Sequence, residues 1–196
     1  MCDELEKHAR RKKEGRLIII SAPSGTGKTT IVNRLLRRTK RLKRSVSYTT
    51  RKPRDGEVDK KDYFFTTRRD FLSKKSRGFF LEWASVFDKF YGTSEARCVE
   101  GMQKGFDVVL TIDVQGMRKI KHRMKNKVRL ITIFVMPPSL SVLKERLMHR
   151  KTDSAAEIKK RLRIAKKEMK ARAEYDYVVV NRNVESSVKQ IKKILN

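Results

Sequence analysis

An apolar run that leads into a glycine-bearing loop and a Lys-Thr pair constrains this chain more than any other feature of its sequence. Residues 17–20 (Leu-Ile-Ile-Ile) are apolar and mostly β-branched, which is typical of a parallel strand buried on both faces. Residues 22–29 (Ala-Pro-Ser-Gly-Thr-Gly-Lys-Thr) follow, and then apolar residues recur at helical spacing. A strand, such a loop, Lys-Thr and a helix in this order make a phosphate-loop motif credible.

The loop carries the chemistry that a nucleoside triphosphate requires. Gly25 and Gly27 allow backbone N–H groups to converge on an oxyanion, and the N-terminus of the helix adds partial positive charge. Lys28 can reach the β- and γ-phosphates, and Thr29 can offer its hydroxyl to Mg²⁺. The predicted triphosphate-binding residues are Ala22, Pro23, Ser24, Gly25, Thr26, Gly27, Lys28, Thr29 and Thr30.

Two observations bear on the strength of this motif. The strict motif begins with Gly, and Ala22 stands at that position here. The alternative is a glycine-rich turn between strand and helix that binds no ligand. The complete Gly-Lys-Thr ending favours the phosphate site.

Composition restricts the remaining possibilities. The 196 residues predict one domain with small insertions, and the net charge of +28 indicates acidic partners, namely nucleotides, nucleic acid or anionic membrane surfaces. Cys2 and Cys98 have no metal-binding or redox spacing, so we expect a reducing, cytoplasmic compartment. No apolar run approaches the roughly 20 residues that a membrane span needs. Residues 1–15 form a charged lead-in without the apolar core of a signal peptide.

Strands that alternate with helices predict an α/β protein with a doubly wound parallel sheet. Residues 16–45 and 95–196 form the predicted core, and residues 46–94 form an inserted lobe of short strands and turns. The pattern predicts a first helix over 28–38 that ends in a basic stretch through Arg44, and a turn over 90–94 with Ser94 as a helix N-cap.

Five further segments carry a family resemblance. They are residues 45–57 (SVSYTTRKPRDGE), 62–65 (DYFF), 80–84 (FLEWA), 91–93 (YGT) and 112–116 (IDVQG). Together with the phosphate loop they resemble guanylate kinase, in order and with nearly colinear spacing from about Arg16 to the C-terminus. The resemblance implies a P-loop NTPase-type parallel sheet flanked by helices, an inserted GMP-binding lobe at 46–94, and a short helical lid at about 146–161.

Residues of the inserted segment suit a phosphate monoester. Arg51 and Arg54 are permanently charged, planar donors, and Tyr63 and Tyr91 can each donate a phenolic hydrogen bond. Without the resemblance, two arginines in a turn with Pro and Gly are most often solvated. The resemblance implies that all four residues hold the phosphate of GMP.

The resemblance also implies a guanine site. Glu82 interrupts an apolar strand, and a carboxylate there either faces solvent or meets a ligand rich in donors. In guanylate kinases the matching Glu accepts hydrogen bonds from guanine N1–H and the 2-amino group. Ser47, Gly92 and Thr93 match positions near the base and phosphate, and Asp113 matches an acid near the guanine and the metal region.

Three arginines match groups that contact the phosphates of ATP and the transferring group. They are Arg146, Arg150 and Arg161, and without the resemblance they are surface charges among many. With Lys28 and Arg51 they form the predicted catalytic set, and Asn181 is predicted to bind ATP. Lys151, Thr111 and Arg182 depart from the family pattern, but none of these changes removes a phosphate-binding group.

The implied activity is transfer of the γ-phosphoryl group of ATP to GMP with Mg²⁺, giving ADP and GDP, in purine nucleotide metabolism and GMP recycling. The expected partners are ATP and GMP, with dGMP possible, and the expected assembly is a monomer or homodimer. We expect no specific nucleic acid and no membrane.

Three other classes of protein are alternatives to an active guanylate kinase. A non-catalytic interaction module resembling guanylate kinase typically loses the phosphate loop, whereas Gly27, Lys28 and Thr29 are intact here. A nucleic-acid-binding protein would explain the charge, but no basic motif is interleaved with aromatic residues. A phosphate-loop kinase for a different phosphorylated sugar would lack the guanine-side residues.

Overall fold

The computed structural model describes residues 14–86, 88–149 and 154–196. Within these ranges the strands are β1 (Leu17–Ser21), β2 (Leu42–Arg44), β3 (Tyr48–Thr49), β4 (Phe64–Phe65), β5 (Phe80–Val86), β6 (Lys89–Ser94), β7 (Asp107–Leu110), β8 (Leu130–Met136) and β9 (Tyr177–Val180). The α-helices are α1 (Lys28–Arg38), α2 (Arg68–Ser76), α3 (Glu95–Gln103), α4 (Val114–Met124), α5 (Leu140–Met148), α6 (Ala155–Lys170) and α7 (Val184–Leu195). A 3₁₀ helix, Ala171–Glu174, follows α6.

A five-stranded sheet has the order β2-β7-β1-β8-β9. Strands that are neighbours in this sheet are not consecutive in the chain, so helical crossovers connect them, which is the arrangement of a parallel α/β sheet. β8 and β9 pair in parallel, with a register that runs from Ile133 opposite Tyr177 to Met136 opposite Val180. The predicted fold class, a parallel sheet flanked by helices, is confirmed.

The chain forms two compact units. The first unit contains the segment that ends at Leu17 together with Arg41–Val108 and Asn126–Arg129, and the second contains Ile18–Lys40, Val109–Lys125 and Leu130–Asn196. The predicted lobe, residues 46–94, falls within the first unit. The phosphate loop falls within the second.

The first unit has a four-stranded sheet of its own, with the order β4-β3-β6-β5. β3 pairs with β4 in parallel and with β6 antiparallel, and β5 also pairs antiparallel with β6. Phe71 of α2 stacks on Phe80 and Phe90, with ring centroids 4.5 and 5.3 Å away. This aromatic core packs against one face of the sheet and holds its strands together.

One local prediction is wrong, and one strand was not predicted. Residues 90–94 form most of strand β6 rather than a turn, because they pair with β3 and β5, with Gly92 opposite Tyr48 and Trp83. Glycine fits there because a Cβ atom would come within 2.8 Å of the Phe80 ring. The basic stretch after α1 includes strand β2, in which Leu42 is buried, Lys43 is exposed and Arg44 is half-buried. The predicted helix over 28–38 is confirmed, and so is the N-cap at Ser94, whose hydroxyl accepts from the Arg97 N–H.

Some predictions lie outside the described residues. These are most of the lead-in over residues 1–15, and Arg150 and Lys151 of the predicted lid. No helix in the described part of the chain combines the length and the apolar character that crossing a bilayer demands.

Candidate functional site

The phosphate loop connects the fully buried strand β1 to helix α1 in the second unit. Gly27 caps α1 with a φ of 96°, and Gly25 has a φ of 91°, both in the left-handed region that suits glycine. Space also requires glycine at these places. A Cβ atom on Gly27 would lie 2.9 Å from Asn181 Nδ2, and one on Gly25 would lie 2.9 Å from Leu147 Cδ2.

Two side chains from later in the chain fix the loop. The Thr26 carbonyl accepts hydrogen bonds from Asn181 Nδ2 at 2.6 Å and from Arg146 Nη1 at 3.3 Å. Asn181 is buried, and its Oδ1 accepts from the Ser187 hydroxyl at 3.0 Å. Both ends of the Asn181 amide are therefore engaged within the protein. Arg146 Nη2 also donates to the Asn181 carbonyl at 3.1 Å, so the arginine links the loop to the segment after β9.

Lys28 is the first residue of α1, and two carboxylates of the same unit, Glu168 and Asp113, act on its charge. Burial lowers the pKa of Lys28, and the negative charges of Glu168 on α6 and Asp113 oppose that shift. Burial raises the pKa of Glu168, whereas the charge of Lys28 opposes that rise. The loop therefore holds a cation that is partly desolvated, and an incoming phosphate would compensate its charge.

The remaining donor-side predictions lie around the same loop. Arg161 of α6 donates from Nη1 to the Ser24 hydroxyl at 3.2 Å. Thr29 and Thr30 are exposed on the first turn of α1. Asp113 is the N-cap of α4, where its Oδ1 accepts from the Gly116 N–H at 2.7 Å.

Strand register in the first unit brings the predicted base-recognising residues together. Glu82 of β5 lies directly opposite Thr93 of β6, and Trp83 lies opposite Gly92. The register shifts between Phe80 and Glu82, an irregularity typical of a β-bulge, which changes the direction of the side chain that follows it. Thr93 donates its hydroxyl hydrogen to Glu82 Oε1 at 2.8 Å.

Burial distinguishes Glu82 from an ordinary surface carboxylate. Its exposed fraction is 6%, and that of Thr93 is 0%. An ionised carboxylate is rarely buried to this degree unless donors surround it. Of the two readings that the sequence left open for Glu82, solvent-facing or ligand-facing, the structure excludes the first.

Arg51 is held by the carboxylate of Glu57, a residue for which the sequence pattern predicts no role. Its Nη1 and Nη2 donate to the two oxygens of Glu57, each at 2.9 Å, and Nη1 also donates to the Lys52 carbonyl at 2.7 Å. Hydrogen bonding to Glu57 raises the pKa of Arg51 and lowers that of Glu57. The guanidinium is therefore fully charged and fixed in direction by a bidentate pair.

The two predicted tyrosines are neighbours of Arg51. The guanidinium carbon lies 5.2 Å from the Tyr63 ring centroid, and the rings of Tyr63 and Tyr91 are 6.1 Å apart in an edge-to-face arrangement. Burial raises the pKa of Tyr63, so its phenol remains a hydrogen-bond donor at neutral pH. Tyr91 and Thr93 are two residues apart on β6, so they point to the same face of the sheet.

Arg54 and Ser47 lie at the edges of this group. The Arg54 backbone N–H donates to Glu57 Oε2 at 2.8 Å, and its side chain is exposed. Ser47 immediately precedes β3, and its carbonyl accepts from the Phe64 N–H at 2.9 Å. The first unit thus brings together one cationic and phenolic cluster and one buried carboxylate–hydroxyl pair.

Two functional candidates were missed by the sequence analysis. Glu57 pairs with Arg51 six residues earlier, and the turn residues Pro53 and Gly56 between them were the signal that the chain doubles back. Glu168 approaches Lys28 from a helix that is otherwise rich in lysine and arginine. The half-burial of Glu168, which suggests this role, is visible only in the folded chain.

Comparison with known proteins identifies close relatives of this chain. Residues 14–196 match the family model of guanylate kinase. The guanylate kinase of Wolbachia sp. subsp. Brugia malayi (strain TRS) is 47% identical over 185 residues, which is 94% of each chain. That of Clostridioides difficile (strain 630) is 45% identical over 184 residues, covering 94% of this chain and 88% of the relative.

A solved structure agrees with these sequence relatives. The crystal structure of guanylate kinase from Anaplasma phagocytophilum is similar to this chain with a TM-score of 0.75 and 35% sequence identity. The match covers 94% of this chain and 86% of the Anaplasma chain.

Proposed function

The chain belongs to the guanylate kinase family, and we propose that it transfers the γ-phosphoryl group of ATP to GMP through the residues described above. The products are ADP and GDP, and the reaction serves purine nucleotide metabolism and GMP recycling. The observation that carries the residue assignment is the buried Glu82, hydrogen-bonded to Thr93 two residues from Tyr91. A carboxylate in that setting suits a ligand edge that offers hydrogen-bond donors.

On the donor side, the phosphate loop binds the triphosphate of ATP. The N–H groups at the start of α1 point toward the loop, and Lys28 supplies a charge that burial has left poorly solvated. Asn181 acts as a positioning residue, since both ends of its amide hold the loop and α7. Arg146, Arg161 and Arg150 supply further positive charge to the phosphates.

On the acceptor side, Arg51 binds the phosphate of GMP. Glu57 binds one edge of the Arg51 guanidinium, so the side chain is oriented before GMP arrives. The N–H groups that do not bond to Glu57 can then donate to the phosphate of GMP. Arg54 adds a second charge, and Tyr63 and Tyr91 donate phenolic hydrogen bonds. This set suits a dianionic monoester, because planar cations and neutral donors can share its oxygens.

Glu82 selects the base. Guanine presents N1–H and a 2-amino group on one edge, and the two oxygens of a carboxylate can accept from both. Thr93 holds one of these oxygens at 2.8 Å, which fixes the orientation of the carboxylate. Ser47 and Gly92 complete the proposed acceptor site within the first unit, at the base and phosphate positions.

The residues fit Mg²⁺ that enters with ATP. Mg²⁺ prefers oxygen ligands and in kinases is held largely by substrate phosphates and water. The exposed hydroxyl of Thr29, one residue after Lys28, is a suitable additional ligand. When bound, the ion would neutralise charge on the phosphates.

The protein contributes electrostatics and positioning to this chemistry. Phosphoryl transfer has little covalent chemistry for side chains to perform, and catalysis depends on aligning two phosphates and stabilising the charge that develops. Lys28 and the arginines provide that charge, and closure of the site would exclude water. ATP and GMP are metabolites of the cytoplasm, so the proposal places the enzyme there, as a monomer or homodimer.

Product analysis tests this proposal. Full-length protein with ATP, GMP and Mg²⁺ should convert GMP to GDP and ATP to ADP in equal amounts, as separated by ion-exchange chromatography. The matched control is the same chain with Lys28→Ala. ATP hydrolysis without formation of GDP would contradict the proposal.

A further inference from the structure

A cavity of about 220 Å³ lies in the first unit, apart from the residues assigned to GMP. It is formed by the end of β2 and the segment that follows, by the turn before Tyr63, by β4 and by α3. Among the residues that the structure describes, none of the proposed GMP-binding residues lines it. It is therefore a separate concave site.

The lining of the cavity is strongly cationic. Five basic side chains from three separate segments converge on it, namely Lys43, Arg44, Lys60, Arg97 and Lys104. Among the described residues that line it, Glu100 is the one carboxylate, and it pairs with Lys104 at 2.5 Å. Like charges repel when they are brought together, so a concave surface of this composition attracts an anion.

Two of these cations are held at the cavity in unfavourable states. Arg44 is partly buried, and burial lowers its pKa although the charge of Asp62 opposes the shift. Lys60 has a φ of 64°, in the left-handed region that glycine adopts without strain. Its backbone N–H is bonded to the Tyr63 carbonyl at 2.7 Å, which keeps the turn in this conformation. A bound anion would offset the desolvation of Arg44 and the mutual repulsion of the cations.

Phe64 lines the cavity, but two neighbouring side chains already pack against its ring. The Arg97 guanidinium lies 4.4 Å from the centroid of the Phe64 ring, and Tyr48 stacks on the same ring with centroids 4.6 Å apart. A nucleobase would need an accessible ring face for stacking. With Arg97 and Tyr48 both against Phe64, the ring offers little such surface, and recognition depends on charge.

We infer that this cavity is a binding site for a compact polyanion of the diphosphate class, distinct from the site of phosphoryl transfer. The cavity is large enough for a diphosphate, and the excess of cations over carboxylates in its lining matches a ligand that carries several negative charges. Free pyrophosphate and the diphosphate of a nucleotide share this chemistry, and the experiment below separates them.

The test is calorimetric titration of pyrophosphate, without Mg²⁺, into the full chain carrying Lys28→Ala and Arg51→Ala, which weaken the proposed substrate sites. We expect saturable binding. Adding Arg97→Gln should weaken it by roughly three- to tenfold, because a charge-assisted contact is lost. Arg69→Gln, which removes an exposed cation of the same unit outside the cavity, should leave binding unchanged.

The variant Lys60→Gly distinguishes a loss of pyrophosphate binding from a loss of protein stability. The substitution removes a cation from the cavity, but glycine adopts the local φ without strain. We expect weaker pyrophosphate binding together with an unchanged or higher melting temperature. Inorganic phosphate should bind more weakly than pyrophosphate, and ADP should bind no more tightly than pyrophosphate, since the base finds no stacking surface.

Three results would overturn the inference. One is the absence of saturable pyrophosphate binding, and another is an equal loss of affinity with Arg69→Gln and Arg97→Gln, which would indicate only the general charge of the surface. The third is binding of ADP more than about tenfold tighter than pyrophosphate, by contacts that Arg97→Gln abolishes, because it would show that the cavity recognises a nucleotide.

Discussion

Thr93 donates its hydroxyl hydrogen to Glu82 Oε1 at 2.8 Å, between two residues that lie directly opposite each other on antiparallel strands. Both residues are buried, so the hydrogen bond orients a carboxylate that has little access to water. Sheet register, rather than a flexible loop, therefore sets the direction of the group that we assign to base recognition. Rigid elements position such groups more accurately than loops do.

Thr93→Val tests this relationship. Valine has nearly the same shape but cannot donate, so Glu82 should lose its fixed orientation, and we expect kcat/KM for GMP to fall about tenfold. The KM for ATP should change little. Thr132→Val is the matched control, because Thr132 is a buried threonine of the second unit that donates to Asp176 at 2.8 Å. The assignment is wrong if both variants affect GMP equally.

Lys28→Ala should reduce kcat by at least about 100- to 1,000-fold, since preorganised charge at a transferring phosphoryl group contributes several kcal/mol. The fold should survive, because burial already disfavours the charged form of this lysine. Steady-state kinetics and a thermal melt measure the two effects. Lys40→Ala, at an exposed position after α1, is the control. A Lys28 variant that keeps more than about a tenth of the wild-type kcat would refute the phosphate-loop assignment.

Arg51→Ala and Arg54→Ala should raise the KM for GMP far more than the KM for ATP. Arg51→Lys should rescue only part of the loss, because lysine supplies charge without the planar fork that binds Glu57 and phosphate together. Arg51 should have the larger effect, since Glu57 fixes its direction whereas the Arg54 side chain is exposed. Equal damage to both Michaelis constants would show that these arginines do not belong to the acceptor site.

Asp107 should make stability depend on acid pH. Burial raises its pKa, but hydrogen bonds from the Arg16 backbone and side chain, together with the Arg16 charge, outweigh burial and hold the pKa below 3.8. Its contribution is therefore complete above pH 3.8 and is lost as the pH falls through the folded-state value. Asp107→Asn should cost about 2 kcal/mol at neutral pH, because it removes the carboxylate charge that pairs with Arg16 in a partly buried setting.

Urea unfolding of wild type and Asp107→Asn at several pH values checks this expectation. The difference in unfolding free energy should shrink as the pH falls below 3.8. Glu100→Gln breaks an exposed ion pair and should change stability little at any pH. A difference between wild type and Asp107→Asn that stays constant from pH 7 to pH 3 would contradict the account.

The phosphate loop and the alternation of strands and helices could be predicted because their signals are local. An apolar β-branched run, a glycine-bearing loop and a helix N-terminus lie within 17–38, and the structure places β1 and α1 there. The helix N-cap at Ser94 could be predicted for the same reason, since its hydroxyl accepts from the backbone N–H of Arg97, three residues ahead.

Strand β6 and the contacts of Asn181 could not be predicted in this way. A glycine such as Gly92 predicts a turn when only the neighbouring residues are considered. In this fold the aromatic core leaves no space for a Cβ atom at Gly92, which lies in the middle of a strand. Asn181 contacts Thr26, 155 positions away, so only the folded chain shows that its amide supports the loop. The same is true of Glu168 and Lys28. These features depend on contacts between residues far apart in the chain, which the local sequence pattern does not show.

The most direct test of the central claim is the specificity for the acceptor base. ADP release by wild type and Glu82→Gln is measured with GMP and AMP, and kcat/KM is compared. A buried carboxylate without donors costs on the order of 2–4 kcal/mol, and a site built around substrate N–H groups can reject an analogue that lacks them by roughly 10⁴. We predict strong preference of the wild type for GMP and a narrower GMP/AMP ratio in Glu82→Gln, with the fold retained. Use of AMP by the wild type within tenfold of GMP, or an unchanged ratio in the variant, would contradict the account.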